Sequence, residues 1–415
     1  MKKMLYVFRE FNDLDHMTPV LDQALTLHPE ETIITCINPN LDLKDDFRLK
    51  YLQSKYNVKV QYIYDLYCNS LGLKLFSRVT NRILFSKSAF SIVASLKQKL
   101  RNKLYNCRLK IKLFNELWFQ SLIQKHNIGA VIVDYGSKHK FIYETISNAC
   151  HVHSIPIIGM PHGMDATTNN FVSNVTHLKQ DTGHLEKTWG WINNFIVASE
   201  GIKQKYSKEG LPLHSMKVLG NPRFAKSWHD KYRSIINVHP SNIKGSKLKI
   251  IFFDHGSRYR VNTDNIYATL KSIDQLPYTD LVIKPHTREL LSDHRLTSVG
   301  RTSSEHSIHL INWADVVINH LSSIVFDAYH LNKIFIYPNY FTENSMVWEK
   351  YNACWAVSNI NEMIDAITSI HTGKYQLPYR QKHVDKLLND QVYGNQPDTN
   401  ISLLYLNHIK SIINT

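Results

Sequence analysis

Residues 314–338 read ADVVINHLSSIVFDAYHLNKIFIYP, and this stretch decides the fold. Residues 314–320 form an apolar run that ends in Asn319 and His320. A helical stretch follows from Ser322, and 333–338 is again a short apolar run. Strands buried on both faces of a parallel sheet read as nearly continuous apolar runs. Strand, helix and strand in this order make a βαβ unit.

The same rhythm extends outward in both directions. Behind it lie strands at KLKIIFFDHGSR (247–258) and DLVIKPH (280–286), with helices predicted over 262–273 and 361–371. The N-terminal half repeats it with strands at MLYVFRE (4–10), ETIITCIN (31–38), VKVQYIYD (58–65), GAVIVDYG (129–136), SIPIIGMPHG (154–163) and WINNFIVASE (191–200). Helices are expected at 13–27, 48–56, 113–126, 140–151 and 201–209. The segment 226–247 is polar and holds Pro240, Ser241, Asn242 and Gly245, so it reads as a linker. The expected domains are therefore 1–225 and 226–415. The second is closed by an apolar helix at 401–413. The fold class is α/β, two doubly wound domains of Rossmann type facing a cleft.

Composition narrows the class further. The chain has 415 residues, a net charge of +14 and 43% hydrophobic residues, which fits globular domains. Its five cysteines form no CxxC pair, so neither a disulfide framework nor a zinc site is expected. No run reaches the roughly 18 apolar residues of a spanning helix. The opening MKKMLYVF is too short for a signal peptide, so a reduced, cytoplasmic protein is expected.

The charge is concentrated. Between Asp65 and Glu116 there is no acidic residue, and the window holds eleven Lys and Arg among Leu, Ile and Phe. This insertion, at about 66–115, is expected to be helical. Residues 74–112 read as a surface for anionic lipid, which would place the protein on the inner face of the membrane. A groove for an anionic acceptor is the alternative. No nucleic-acid motif accompanies the charge, so nucleic acid is not an expected partner.

In doubly wound folds ligands bind beyond the carboxyl ends of strands, and polar clusters fall there. Lys284, His286 and Arg288 close one strand and suit phosphate oxygens. Asn319, Ser322 and Ser323 precede a helix whose first N–H groups favour a phosphate. Asp327, one turn on, is placed to accept from ribose hydroxyls. Gly256 lies in the Asp254–Arg258 turn, a further donor contact. His162, before Gly163, is placed as a general base. Asp13-Leu14-Asp15 reads as a helix cap, with Asp15 or His16 as an acceptor-side group. No metal or cofactor is expected.

Together these motifs resemble GT-B glycosyltransferases of bacterial surface-carbohydrate synthesis. The most similar families are the CDP-glycerol glycerophosphotransferases of teichoic acid and capsule synthesis and related capsule and lipopolysaccharide transferases. Their His-Gly-Thr element matches His162-Gly163-Met164, and their Thr-Asp-Tyr-Ser-Ser element matches Ile318-Asn319-His320-Leu321-Ser322-Ser323, with Asn-His-Leu in place of Asp-Tyr. Leu219-Gly220-Asn221-Pro222-Arg223-Phe224 resembles the segment entering the second domain in such transferases and in sugar epimerases. The resemblance implies displacement at the activated carbon or phosphorus, with His162 as base and the phosphates held by Lys284, His286, Ser322 and Ser323. It implies a nucleotide-activated sugar or polyol, CMP- or CDP-linked by preference, and a glycan or lipid-linked acceptor. Polyol-phosphate transfer is one alternative. A nucleotide-sugar epimerase or a non-catalytic relative is another, although Ser-Ser-Ile-Val-Phe-Asp departs from the Ser-Gly-Gly of epimerases.

Overall fold

The computed structural model describes residues 1–38, 41–67, 116–136, 138, 142–161, 163–169, 184–238, 247–256, 259–286, 291–397 and 399–414. The basic window's docking residues 74–112, and the site residues His162 and Arg288, lie outside the described residues. The chain divides into two compact units, with Phe224–Pro397 in the second and the ends of the chain in the first.

In unit 1 the order is β1 (Lys3–Phe8), α1 (Phe11–Leu27), β2 (Thr32–Cys36), α2 (Phe47–Tyr56), β3 (Gln61–Tyr62), α3 (Ile63–Tyr67), α4 (Glu116–His126) and β4 (Ile128–Asp134). It continues through α5 (Tyr143–Val152), β5 (Ile157–Met160), α6 (His184–Trp189), β6 (Asn194–Val197), α7 (Glu200–Lys208) and β7 (Met216–Val218). In unit 2 the order is α8 (Lys226–Ile235), β8 (Leu248–Phe253), α9 (Thr263–Asp274), β9 (Thr279–Lys284), β10 (Arg301–Thr302), α10 (Ser307–Trp313), β11 (Val316–Ile318) and α11 (Val325–His330). Then come β12 (Ile334–Pro338), α12 (Val347–Lys350), β13 (Trp355–Val357), α13 (Ile360–His371) and α14 (Gln381–Gln391). The last helix, α15 (Ile401–Asn414), returns to unit 1.

Both sheets are parallel and wound alike. The orders are β3-β2-β1-β4-β5-β6-β7 and β10-β9-β8-β11-β12-β13. In each, the first strand is central and the chain winds outward to one side before crossing to the other. The switch points fall between β1 and β4 and between β8 and β11, where ligands of such sheets bind. Strand residues alternate between the faces of the second sheet. Ile251, Phe253 and Val317 enter one core, while Ile250, Phe252, Val316 and Ile318 enter the other. This period of two explains why the strands read as unbroken apolar runs.

Three expectations change. The segment read as a linker starts with α8, which buries Trp228, His229 and Tyr232. Its apolar face is one aromatic stripe, too sparse to outweigh the polar composition in a sequence reading. The closing helix, expected with the second domain, packs on α1 and β4 of the first. It buries Ile401, Tyr405, Leu406, Ile409 and Ile413, and Tyr405 donates to the Gly220 carbonyl at 2.7 Å. Burying apolar side chains of this size contributes roughly 1.5–3 kcal/mol each, enough to fix where the helix docks. Finally, α1 is capped by Glu10 and Asp13 in a capping box, not by Asp15.

Candidate functional site

The strand ends of unit 1 are filled by ion pairs. Arg9 follows β1 directly, and its Nε donates to Asp134 at the end of β4 at 2.9 Å. The Arg9 Nη2 donates to the same carboxylate. Tyr143 donates its hydroxyl to the other Asp134 oxygen at 2.7 Å. Asp13 accepts from the backbone N–H of Arg9 and of Glu10, both at 3.0 Å. Asp13, Asp134 and Tyr143 are fully enclosed and Arg9 nearly so. Burial alone would favour neutral Arg9, but Asp134 and Asp13 outweigh it and raise the guanidinium pKa further. Burial and the neighbouring Asp134 push the Tyr143 phenol well above its usual range. Both oxygens of Asp134 are thus engaged by donors, Arg9 just past β1 and Tyr143 of α5.

Asp15 belongs to a second such group. Arg48 Nη1 donates to it at 2.8 Å and Arg223 Nε at 2.6 Å. Arg48 also donates from Nε to Asp46, at 3.1 Å. Burial alone would raise the Asp15 pKa, but Arg223 and Arg48 prevail and hold it well below the carboxylate range. A carboxylate so stabilised in its charged form is a poor proton acceptor, so the expected role of Asp15 as an acceptor-side acid–base group is replaced by one of anchoring arginines. His16, the other expected group, is buried on α1.

In unit 2 four of the expected residues follow the ends of three neighbouring strands. Gly256 lies three residues past β8, Lys284 ends β9 with His286 two residues on, and Asn319 follows β11. Asp254 is buried and accepts from the backbone N–H of Ser292 at 2.6 Å and of His255 at 2.9 Å. Burial raises its pKa against these bonds. Lys284 is half-buried, and desolvation lowers its pKa against the pull of Glu305.

Three imidazoles meet at these ends. The His255 ring stacks on His286 with centroids 5.0 Å apart and planes 16° from parallel. It also lies 4.2 Å from the Tyr259 ring and 6.2 Å from His320. His320 is fully buried, stacked on Phe252 and edge-on to Phe341. Among the described residues neither of its ring nitrogens has a hydrogen-bond partner, and burial drives its pKa down to about 3. It is a neutral ring beneath the site. Among the described residues no group of His, Cys, Asp and Glu is arranged to hold a metal.

The turn after β11 differs from expectation. The Asn319 Oδ1 accepts from Leu321 N at 3.1 Å and Ser322 N at 3.0 Å, and its Nδ2 donates to Ser322 O at 2.7 Å. Ser322 Oγ accepts from Ile324 N at 3.3 Å. Two N–H groups expected to face a phosphate are therefore used to build the turn, and α11 has only six residues. Asn319 is a turn-former, leaving the half-buried Ser322 and Ser323 at the surface of the turn. Asp327 is fully enclosed, with Oδ1 3.6 Å from Nε2 of His229 on α8. It faces the packing of α8 on α11, and this replaces its expected role at a ribose.

Sequence reasoning did not single out Arg9 or Tyr143, and it placed Asp134, His255 and His320 only within polar strand-end clusters, without a role of their own. All but Tyr143, which opens α5, are at or just past a strand end, so position was the available signal. What was missing was the pairing of residues distant in sequence, such as Arg9 with Asp134.

No family model matches the chain, and no curated protein sequence does. Its structure, however, is similar to solved structures along its whole length. The UDP-GlcNAc 2-epimerase of Neisseria meningitidis, bound to UDP-GlcNAc, superposes with a TM-score of 0.58 at 14% identity, over 99% of this chain and 100% of that one. The Rickettsia bellii UDP-N-acetylglucosamine 2-epimerase gives 0.57 at 13% identity, over 100% and 97%. The Methanocaldococcus jannaschii UDP-GlcNAc 2-epimerase, in complex with UDP-GlcNAc and UDP, gives 0.54 at 10% identity, over 99% and 100%. At these identities the likeness is one of fold, and that fold is the pair of Rossmann-like units of the GT-B enzymes.

Proposed function

We propose that this chain is a nucleotide-sugar enzyme of epimerase type, which holds a nucleoside diphosphate at the strand ends of unit 2 and reworks the sugar attached to it. The observation that carries the reading is that β9, β8 and β11 are neighbours in the second sheet and that His255, just past β8, stacks on His286, just past β9. Gly256, Lys284 and the Ser322-Ser323 turn belong to the same strand ends in sequence. A lysine, imidazoles and hydroxyls supply donors to diphosphate oxygens, and glycine lets a phosphate approach the backbone. The full-length likeness to UDP-GlcNAc 2-epimerases supports a uridine nucleotide sugar as the first substrate, ahead of the CMP- and CDP-linked donors that the sequence suggested. Epimerisation takes a proton from one carbon and returns one to its opposite face. His162, two residues past the end of β5, is the proton-transfer candidate on sequence grounds.

A second reading, transfer of the sugar or polyol to an acceptor, is favoured by the acid-free basic window at 66–115. That composition suits a lipid-linked acceptor at an anionic membrane surface. Among the described residues no helix is long and apolar enough to cross a membrane.

A donor panel separates the readings. The protein is incubated with UDP-GlcNAc, UDP-glucose, CMP-sialic acid and CDP-glycerol, with and without a lipid-linked acceptor, and products are resolved by chromatography. Epimerase-type chemistry yields an isomeric nucleotide sugar with no acceptor and no lasting nucleotide release. Acceptor-dependent release of nucleotide establishes transfer in its place. No conversion of any donor rejects both.

A further inference from the structure

The three imidazoles of unit 2 carry a consequence for how the proposed ligand binds. His255 and His286 lie face to face with centroids 5.0 Å apart. Two like charges at that separation repel, so the stacked pair resists holding two protons at once. The half-buried Lys284, the last residue of β9, adds a further cation two residues before His286. The carboxylate closest in sequence, Asp254, is buried, accepts from the N–H groups of Ser292 and His255, and has Asp293 as an acidic neighbour. Glu305 acts on Lys284. Tyr259 contributes an aromatic face to His255. His320, the third ring, is locked neutral between Phe252 and Phe341 and takes no share of the charge. A diphosphate reverses this balance, because its negative charge favours the protonated imidazole.

We infer that the His255–His286 pair makes ligand binding proton-linked: the site takes up a proton when a nucleotide diphosphate arrives, and it weakens as pH rises. The inference rests on the reading of unit 2 as the nucleotide-holding unit. It adds that substrate affinity is set by pH through two stacked rings rather than through a permanent cation alone. His286 is the ring beside Lys284, and His255 is the ring that couples it to the buried layer below. A single linked proton limits the effect to about tenfold in affinity per pH unit.

The test uses calorimetric titration of the whole chain with UDP-GlcNAc and, separately, CDP-glycerol. Both are diphosphate diesters that neither gain nor lose a proton themselves near neutral pH. Titrations near neutral pH in two buffers of different ionisation heat give the number of protons taken up, and a series from about pH 6 to 8 gives the affinity slope. The expected result is uptake of up to one proton, with affinity falling roughly three- to tenfold per pH unit on the alkaline side. In His286→Gln the uptake and the slope should both drop, whatever remains of the affinity. Binding with equal heats in the two buffers and a flat pH profile overturns the inference and leaves the nucleotide reading standing. Failure of both probes to bind at any pH overturns the nucleotide reading, and the inference with it.

Discussion

The two units carry the same winding and arm their strand ends in opposite ways. At the ends of β1 and β4, charges are matched in place. Arg9 is shared by Asp134 and Asp13, and Asp15 is shared by Arg48 and Arg223. At the ends of β8, β9 and β11, imidazoles stack on one another and on aromatic rings, and the nearby carboxylate of Asp254 is taken by backbone N–H groups. Topology dictates only that polar residues collect at a switch point. Whether the collection is a rigid, internally neutralised floor or a basic surface open to an anion depends on which residues it holds. Unit 1 has the first character, and the second is the one we propose for unit 2.

Removing the arginine of unit 1 should have the largest effect. Arg9→Ala leaves Asp134 and Asp13 enclosed without their cation, and breaking a buried pair from one side costs about 3–5 kcal/mol. Urea unfolding measures this. A loss under about 1 kcal/mol would mean that water reaches the carboxylates and that unit 1 lacks the closed floor described.

Asp15→Asn comes next. The charged hydrogen bonds to Arg48 and Arg223 are worth roughly 1.5–3 kcal/mol each before their neighbours readjust. The folded pKa of Asp15 lies below its unfolded value. Its contribution is therefore full above about pH 4 and is lost as pH falls through the folded value. The variant should lose stability at neutral pH and converge with the wild type in acid. Turnover should fall by less than about tenfold, whereas loss of a general base costs roughly 10²–10⁴. A drop of that larger size would restore Asp15 to an acid–base role.

His320→Phe probes unit 2 and should have the smallest effect at neutral pH. Phenylalanine keeps the stack on Phe252 and removes two unbonded buried nitrogens, so stability should be unchanged or rise by about 1 kcal/mol. The pH profile is more telling. With a folded pKa of about 3, below the ordinary imidazole value, His320 makes the wild type lose stability as pH falls from about 6.5 towards 3. The variant should lack that share of the slope, up to about 1.4 kcal/mol per pH unit. An identical slope in both proteins would show that His320 meets water or a partner.

The same contrast marks what the sequence made legible. The strands of both sheets were readable because runs such as Ile250–Phe253 and Val316–Ile318 are apolar on both faces. Strand ends were readable because each run stops at a polar cluster, which brought Lys284, His286, Ser322 and Ser323 into view. Partnership was not readable. Asp15 and Asp327 carry no local mark that one meets two arginines and the other a histidine of α8. Asn319 resembled a ligand contact because a side chain that builds a turn has the same composition as one that binds a phosphate. The polar α8 resembled a linker because its buried face is three residues.

The central claim is that this chain reworks the sugar of a nucleotide sugar. Solvent deuterium tests it most directly. UDP-GlcNAc is incubated with the protein in deuterium oxide, without acceptor, and the sugar ring protons are followed by NMR. The account predicts that the signal of one ring proton is lost, a second isomer appears with deuterium at the changed carbon, and the nucleotide remains attached at equilibrium. A fully protonated, unchanged UDP-GlcNAc pool, with binding verified in the same sample, would contradict it.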